Sequence, residues 1–460
     1  MSRAVEAYSE YRNSGVEWLG EVPAHWKMRK IRQCASISGG MTPSMEDGRF
    51  WNGDVPWVTP KDMKTIVVND SHLRVTDAAL AETPLQLLQA PAVLMVVRGM
   101  ILARRVPIAR TTAPVTINQD MKALRPCRTL NAAYLASFLG CAHDGLFPLI
   151  DEAGHGTRRL PTERWRDLPL TLPPLAEQTA ISRFLDYVDR DTRRVVRKKE
   201  KLIALLEEQE QAVIHQAVTG QVDVQTGQPY PAYQDSGAKW LGQVPAHWKV
   251  RKIRQCASIS GGLTPSMEDR RFWNGDVPWV TPKDMKTMVI DDSRLRVTKA
   301  ALAKTPLRLV QAPAVLMVVR GMILARKVPI ARTSVPVTIN QDMKALRPRL
   351  ALQAPYLASF LDCAHGGLFP LIDEAGHGTR RLPTERWRDL PMTVPPQAEQ
   401  TAISRYLDHI TTGTAAGIEQ TRGQIALLRE WRERLATDVV TGKLDVRNAA
   451  GSLPRAACSA

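Results

Sequence analysis

The sequence predicts a mixed α/β fold: two tandem α/β domains joined by two long antiparallel coiled-coil helices, with an internal pseudo-two-fold. Three observations predict it. Residues 14 to 188 recur at 236 to 410, 222 positions on, with no insertion or deletion and about 30 differences among 175 aligned positions. Each copy opens with short apolar bursts punctuated by Pro and Gly, a texture of strands and turns. Each copy then passes a Pro-Pro pair into a long Pro-free stretch whose apolar residues fall mostly seven apart, or three plus four. Solenoid repeats run to some 20 to 50 residues, whereas each copy here is long enough to bury its own core.

The elements follow in chain order. Ser14-Gly15 matches Ser236-Gly237, the run Val22 to Lys27 returns as Val244 to Lys249, and Arg49 to Lys64 returns as Arg271 to Lys286. Within the globular parts, about 14 to 170 and 236 to 392, Ala92 to Ala103 reads as two buried strands turning at Gly99. Val115-Thr116-Ile117 is a third strand. Asn131 to Cys141 has helical spacing through Leu135, Phe138 and Leu139. From Ala176 to Val218 the seam runs through Ile181, Leu185, Val188, Val195, Leu202, Leu206 and Val213, on a helix about 60 Å long at ~1.5 Å per residue. The second seam, after Pro395-Pro396, carries Ile403, Leu407, Ile410, Ile418, Ile425, Leu428, Leu435 and Val439. Gly413, Gly417 and Gly423 weaken its turns. Neither seam can stay exposed, so the helices are expected to pack on each other, with the domains at opposite ends of a rod. The expected boundaries are a first domain at 1–172, a central helix at 173–220, a second domain at 221–394, a C-terminal helix at 395–446 and a disordered tail at 447–460. Five tryptophans recur at matched positions in each copy, and Trp431 stands alone on the second helix. Matched large aromatics read as packing anchors.

Composition narrows the partner. Lys plus Arg is 62 against 46 Asp plus Glu, a net charge of +16 and a pI near 9.8. Charge spread through both copies suggests a polyanion, nucleic acid before anionic membrane. There is no run of 18 apolar residues, and Met1 to Glu10 lacks the apolar core of a signal peptide. Six cysteines with neither metal spacing nor a dense framework are expected to be reduced, in a cytoplasmic protein.

Several motifs occur twice and in order. Trp18-Leu19-Gly20-Glu21-Val22-Pro23-Ala24-His25-Trp26 resembles the opening of a recognition domain in the specificity subunits of type I restriction–modification systems. Gly39-Gly40-Met41-Thr42-Pro43-Ser44, with Phe50 to Val58, resembles that family's first sheet segment. Leu172-Pro173-Pro174-Leu175-Ala176-Glu177-Gln178 resembles its domain-to-helix junction. Ala217 to Val224, and again Val439 to Val446, resembles its helix exit. The resemblance covers nearly the whole chain. It implies two target-recognition domains and two spacer helices, no chemistry in the chain itself, and a bipartite double-stranded DNA target. It also implies two modification subunits that hold S-adenosylmethionine and methylate adenine at N6, which two restriction subunits using ATP and Mg can join. The helices then bind the modification subunits and set the spacer, with Ile181, Leu185, Leu202, Leu206, Ile403, Leu407, Leu428 and Leu435 as the expected subunit interface. Recognition domains of this family usually differ from each other. Here they are almost the same, so the expected target is an interrupted palindrome.

The residues show no catalytic motif. There is no phosphate-binding Gly-x-x-x-x-Gly-Lys-Ser/Thr loop and no Asn/Asp-Pro-Pro-Tyr/Phe tetrapeptide; no His-x-x-x-His pair marks a zinc site. No cofactor or metal is expected on this chain. Asp151-Glu152 with His155 is read against acid–base catalysis, and Gly154 to Arg159 as a mobile basic loop. Arg158 and Arg159 either fork onto phosphate or guanine or stay solvated. Thr42 and Ser44 form a second loop that either reaches DNA or is a plain turn. Lys61, Arg98, Arg104, Arg110 and Lys122 are basic positions near strand ends. Asn118 and Gln119 are either adenine contacts or satisfied turn amides. The second copy carries the same set as Thr264, Ser266, Lys283, Arg320, Arg326, Arg332, Asn340, Gln341, Lys344, Arg380 and Arg381. Arg190 to Lys201 either tracks phosphates or is a solvated helix face. Competing functions are a stand-alone methyltransferase or nuclease with unrecognised motifs, and a bivalent protein scaffold.

Overall fold

A computed structural model of the chain describes residues 6–152, 157–349, 351–374 and 379–453. The chain forms two compact units, residues 1–199 with 423–460, and residues 200–422. Each unit therefore holds one domain, the start of that domain's own long helix and the end of the other long helix.

The first unit is built on a four-stranded antiparallel sheet in the order Ala35–Gly39, Met121–Pro126, Val93–Val96 and Ile108–Arg110. Val93 to Val96 are all buried, as a central strand covered on both faces requires. Helix Ala132–Cys141 packs on this sheet through Tyr134, Leu135, Phe138 and Leu139. It starts where the sequence says, because the Asn131 carboxamide oxygen accepts from the amides of Ala133 and Tyr134. A smaller three-stranded sheet, Leu73–Val75, Trp51–Val58 and Thr116–Ile117, closes its own core around Phe50, Trp57 and Val75. One expectation fails here. Residues 92 to 103 hold a single strand, and beyond Gly99 the chain forms a short 3-10 helix, Met100–Ala103, with only Leu102 buried. Apolar composition could not separate an exposed turn from a buried strand.

The long helices run over Leu175–Thr219 and Gln397–Val440. The junction motif has a physical account. Gln178 is fully buried, donates to the carbonyls of Pro173 and Thr129, and accepts from the Asn131 amide. Glu177, 4% exposed, accepts from Tyr8 Oη (2.5 Å) and Trp26 Nε1 (2.9 Å), and its other oxygen lies 3.0 Å from His25 Nε2. The motif thus ties helix, N-terminal segment and domain together. The repeated Val-Thr-Gly at the helix exits is equally specific. Gly220 and Gly442 sit at φ +71° and +82°, the left-handed C-cap that glycine favours, and a Cβ there would come within 2.4 Å of Pro245 or 2.3 Å of Pro23. The helix-end carbonyls, which lack a partner within the helix, are then taken up by the domain of the same unit. Thr171 Oγ1 donates to Val440, and Thr393 Oγ1 donates to Val218.

In the first unit the two helix segments run antiparallel. Asp189 meets Arg432 at 2.7 Å, and Lys199 donates to Gln424 further along one helix and further back along the other. In the second unit Leu206 lies against Gly417. Gly413, Gly417 and Gly423 do not interrupt their helix. The tail expected to lack structure begins with helix Arg447–Gly451, held by the burial of Val446 and Ala450 in the first unit's core. The second unit repeats the first and adds the strand Val289–Ile290 to its main sheet. All five matched tryptophan pairs are at most 5% exposed or packed against a core, whereas Trp431 is 52% exposed.

Candidate nucleic-acid interface

The sequence-predicted residues of the first unit fall into three places. One end of the main sheet gathers most of them. There the strand Ala35–Gly39 ends, Val93–Val96 ends and Met121–Pro126 begins, with Lys122 paired to Gly39 and Met121 to Val96. The loop after Gly39 is held close, since Met41 donates to the Ile117 carbonyl and a Cβ on Gly40 would lie 2.2 Å from two backbone oxygens. Thr42 Oγ1 consequently reaches the Gln119 carboxamide oxygen. The Arg98 and Val97 amides donate to Asp120, and Gly99 donates to the Arg158 carbonyl, which brings the Asp151–Glu152 and Arg158–Arg159 hairpin to the same rim. Thr42, Arg98, Arg104, Gln119, Lys122, Arg158 and Arg159 thus share one end of the sheet. Ser44 is exposed on the same loop, its carbonyl accepting from Trp51 Nε1. Lys61 stands exposed in the turn after Trp51–Val58.

Two predicted contacts are corrected. Arg110 pairs with Val93, at the opposite end of the sheet, and its guanidinium holds Asp186 of the first long helix at 2.8 Å. It is a domain-to-helix brace, as is Arg332 with Asp408 at 3.5 Å. Asn118 is buried with both ends of its amide spent on Asp120, so it is a satisfied turn amide; Asn340 repeats this with Asp342. Of the expected subunit interface, Ile181 and Leu185 lie in the first unit's core, and Ile403 and Leu407 in the second's. Leu435 packs partly on the first core, and Leu206 and Leu428 are half-buried. Leu202, 46% exposed, is the accessible one of the eight. Seam spacing marks burial without saying what does the burying. Gly154, His155 and Gly156 lie outside the described residues.

Among the described residues, Arg98, Arg104 and Arg159 form no ion pair, and neither does Arg105, which sequence reasoning missed although it adjoins Arg104. Arg158 is 3.7 Å from Glu152, and Arg164 takes Asp151 at 2.6 Å. An excess of unopposed guanidinium on one rim is the electrostatic form of a phosphate-binding face. The second unit repeats the rim through Thr264, Ser266, Lys283, Arg320, Arg326, Gln341, Lys344, Arg380 and Arg381, with Lys327 in place of Arg105. Five substitutions that make the second copy more basic (Glu17 to Lys239, Gly48 to Arg270, Asp77 to Lys299, Glu82 to Lys304, Gln86 to Arg308) lie at exposed positions. Asn52 and Asn274, exposed at φ +62° and +61° beside strand bulges, are further polar tips that sequence spacing could not reveal.

The cysteines sort by environment. Burial pushes the Cys141 thiol up to about 11 and the Cys363 thiol up to about 12, so both stay protonated at pH 8, whereas Cys127 is exposed. Thiolate is the nucleophile. Iodoacetamide at pH 8 is therefore expected to label Cys127 well before Cys141 or Cys363, read by peptide mass spectrometry. No helix among the described residues is long and apolar enough to cross a membrane.

A family model described as the type I restriction modification DNA specificity domain matches residues 23–204 and again 245–426. The chain is 29% identical over 204 residues to the EcoR124I/EcoR124II type I restriction enzyme specificity subunit of Escherichia coli, covering 44% of this chain and 50% of that one. It is 24% identical over 299 residues to the MjaIX type I restriction enzyme specificity subunit of Methanocaldococcus jannaschii, covering 63% and 65%. These matches span half to two thirds of the relatives' length. A solved chain from a study of complex assembly and conformational transition in the type I R-M system has a similar fold, with a TM-score of 0.71 at 16% identity, covering 92% of this chain and 99% of that one. The HsdS subunit from Thermoanaerobacter tengcongensis is similar at a TM-score of 0.53 and 16% identity, covering 92% and 98%.

Proposed function

This chain belongs to the family of type I restriction–modification DNA specificity proteins, and from that premise we propose that it is the sequence-reading subunit of such a complex. It binds a bipartite duplex target, one half-site to each unit, and carries no catalytic group of its own. Two modification subunits bring S-adenosylmethionine and methylate adenine at N6, and restriction subunits using ATP and Mg can join them. The observation that carries the reading is the basic strand-end rim, present twice and differing only by Lys327 for Arg105.

Near-identical rims imply identical half-sites. Two equivalent readers on opposite strands select an inverted repeat, as paired half-sites do for dimeric DNA-binding proteins. The expected target is an interrupted palindrome. Single-molecule sequencing of DNA from cells expressing the chain with its cognate modification subunit reads the methylated motif directly. A palindrome broken by a fixed spacer is the expected result. An asymmetric bipartite motif would show that the differences between the copies retune one unit, and no motif would overturn the assignment.

A further inference from the structure

The expectation that failed in the main sheet leaves an unusual feature. After Val96 the chain turns at Gly99, whose φ of +133° L side chains rarely adopt, and enters the 3-10 helix Met100–Ala103. Leu102 is fully buried and pins this helix to the core, while the Gly99 amide is clamped to the Arg158 carbonyl at 3.0 Å. Between the two anchors, Met100 is left 76% and Ile101 36% exposed. The second unit repeats the arrangement, with Gly321 at φ +136°, Leu324 fully buried, Met322 76% and Ile323 38% exposed. A fixed backbone that twice presents a Met-Ile pair to solvent is a feature that packing within the fold does not require.

The surroundings identify the occupant. Arg98, Arg104, Arg105 and Arg159 flank the first tip, and Arg320, Arg326, Lys327 and Arg381 the second, and none forms an ion pair among the described residues. A protein partner would have to bring a matching set of carboxylates to this rim. A tip of Met and Ile ringed by guanidinium groups instead matches duplex DNA, with its apolar base stack between two rows of phosphates. Met and Ile are side chains that open base steps when driven in from a groove. We propose that Met100 with Ile101, and Met322 with Ile323, are wedges that insert at one base step in each half-site while the neighbouring arginines hold the phosphates on either side. The wedge rests on the DNA-reading assignment above. It extends that assignment to DNA deformation, because an opened step lowers the cost of swinging a nearby base out of the helix.

The test uses the full chain assembled with its cognate modification subunit, and duplexes carrying the mapped target with 2-aminopurine placed singly at each half-site position other than the methylated adenine. The unaltered complex is expected to brighten the probe at one step per half-site. The fourfold variant M100A/I101A/M322A/I323A is expected to lose that signal and to bind the target about tenfold more weakly with an unchanged salt slope, since no phosphate contact is removed. Leucine at the same four positions should restore the signal. The wedge is overturned if the unaltered complex binds its target without brightening any such step, or if the alanine variant keeps the signal. It is equally overturned if the alanine variant unfolds normally but no longer assembles with the modification subunit, which would assign the tip to a protein partner. Failure of the unaltered complex to select any duplex would instead strike down the DNA-reading assignment itself.

Discussion

Alanine at Arg98, Arg104 and Arg159, together with Arg320, Arg326 and Arg381, is expected to weaken target binding by the assembled complex roughly a hundred- to a thousandfold at near-physiological salt, and to lower the slope of log affinity against log salt by about five. The magnitude follows from six phosphate-directed cations, since each neutralised phosphate releases a fraction of a condensed counterion. The three residues in each unit are brought to one rim by the Arg98–Arg159 bridge and the turn at Gly99. Fluorescence anisotropy at several salt concentrations reads both quantities. Alanine at Arg110 and Arg332 supplies the contrast. Those side chains brace domain to helix through Asp186 and Asp408, so the salt slope should be unmoved while thermal stability falls. A slope that drops for Arg110 and not for the rim would place DNA at the other end of the sheet.

Glu177→Ala is expected to destabilise the first unit by about 2–4 kcal/mol, because it strands buried donors. Tyr8 and Trp26 both spend their side-chain donors on this carboxylate, and both are almost fully buried. His25, partly exposed, can turn to water. The Tyr8 hydroxyl is harder to ionise, through burial first and its hydrogen bond to Glu177 second. Glu399→Ala in the second unit removes the same contacts from Tyr230 and Trp248, and its cost should be smaller because Glu399 is 22% exposed against 4% for Glu177. Urea unfolding of the two single variants measures the difference. Equal and negligible losses would mean that the junction motif is held by Gln178 and Gln400 alone.

Much of this was legible in the sequence because the duplication is so regular. The long helices announced themselves through seam spacing and the proline pairs before them, and helix Ala132–Cys141 through the spacing of Leu135, Phe138 and Leu139. What spacing could not give was orientation in three dimensions. Ile181 and Ile403 carry the seam pattern, but the face they define is consumed by the domain cores. Arg110 has the composition of a DNA contact, but the antiparallel pairing with Val93 sends it to the far end of the sheet. Met100 and Ile101 are apolar enough for a strand, and only the positive φ of Gly99 and the anchoring of Leu102 turn them outward. In each case the missing information was which long-range partner a residue meets.

The way each unit is assembled has a consequence for synthesis. Residues 200–422 form the second unit from one uninterrupted stretch, so its core can close as soon as that stretch clears the ribosome. The first unit cannot close so early, because Val439, Val440, Val446 and Ala450 belong to the same core as Trp26 and Phe138. At about 5–20 residues per second its opening segment waits on the order of tens of seconds for them. The part of the chain made first is thus finished last. During that interval its apolar surface is open to chaperones, or to the other helix exit, whose Val218-Thr219-Gly220 repeats the Val440-Thr441-Gly442 of the partner still to come.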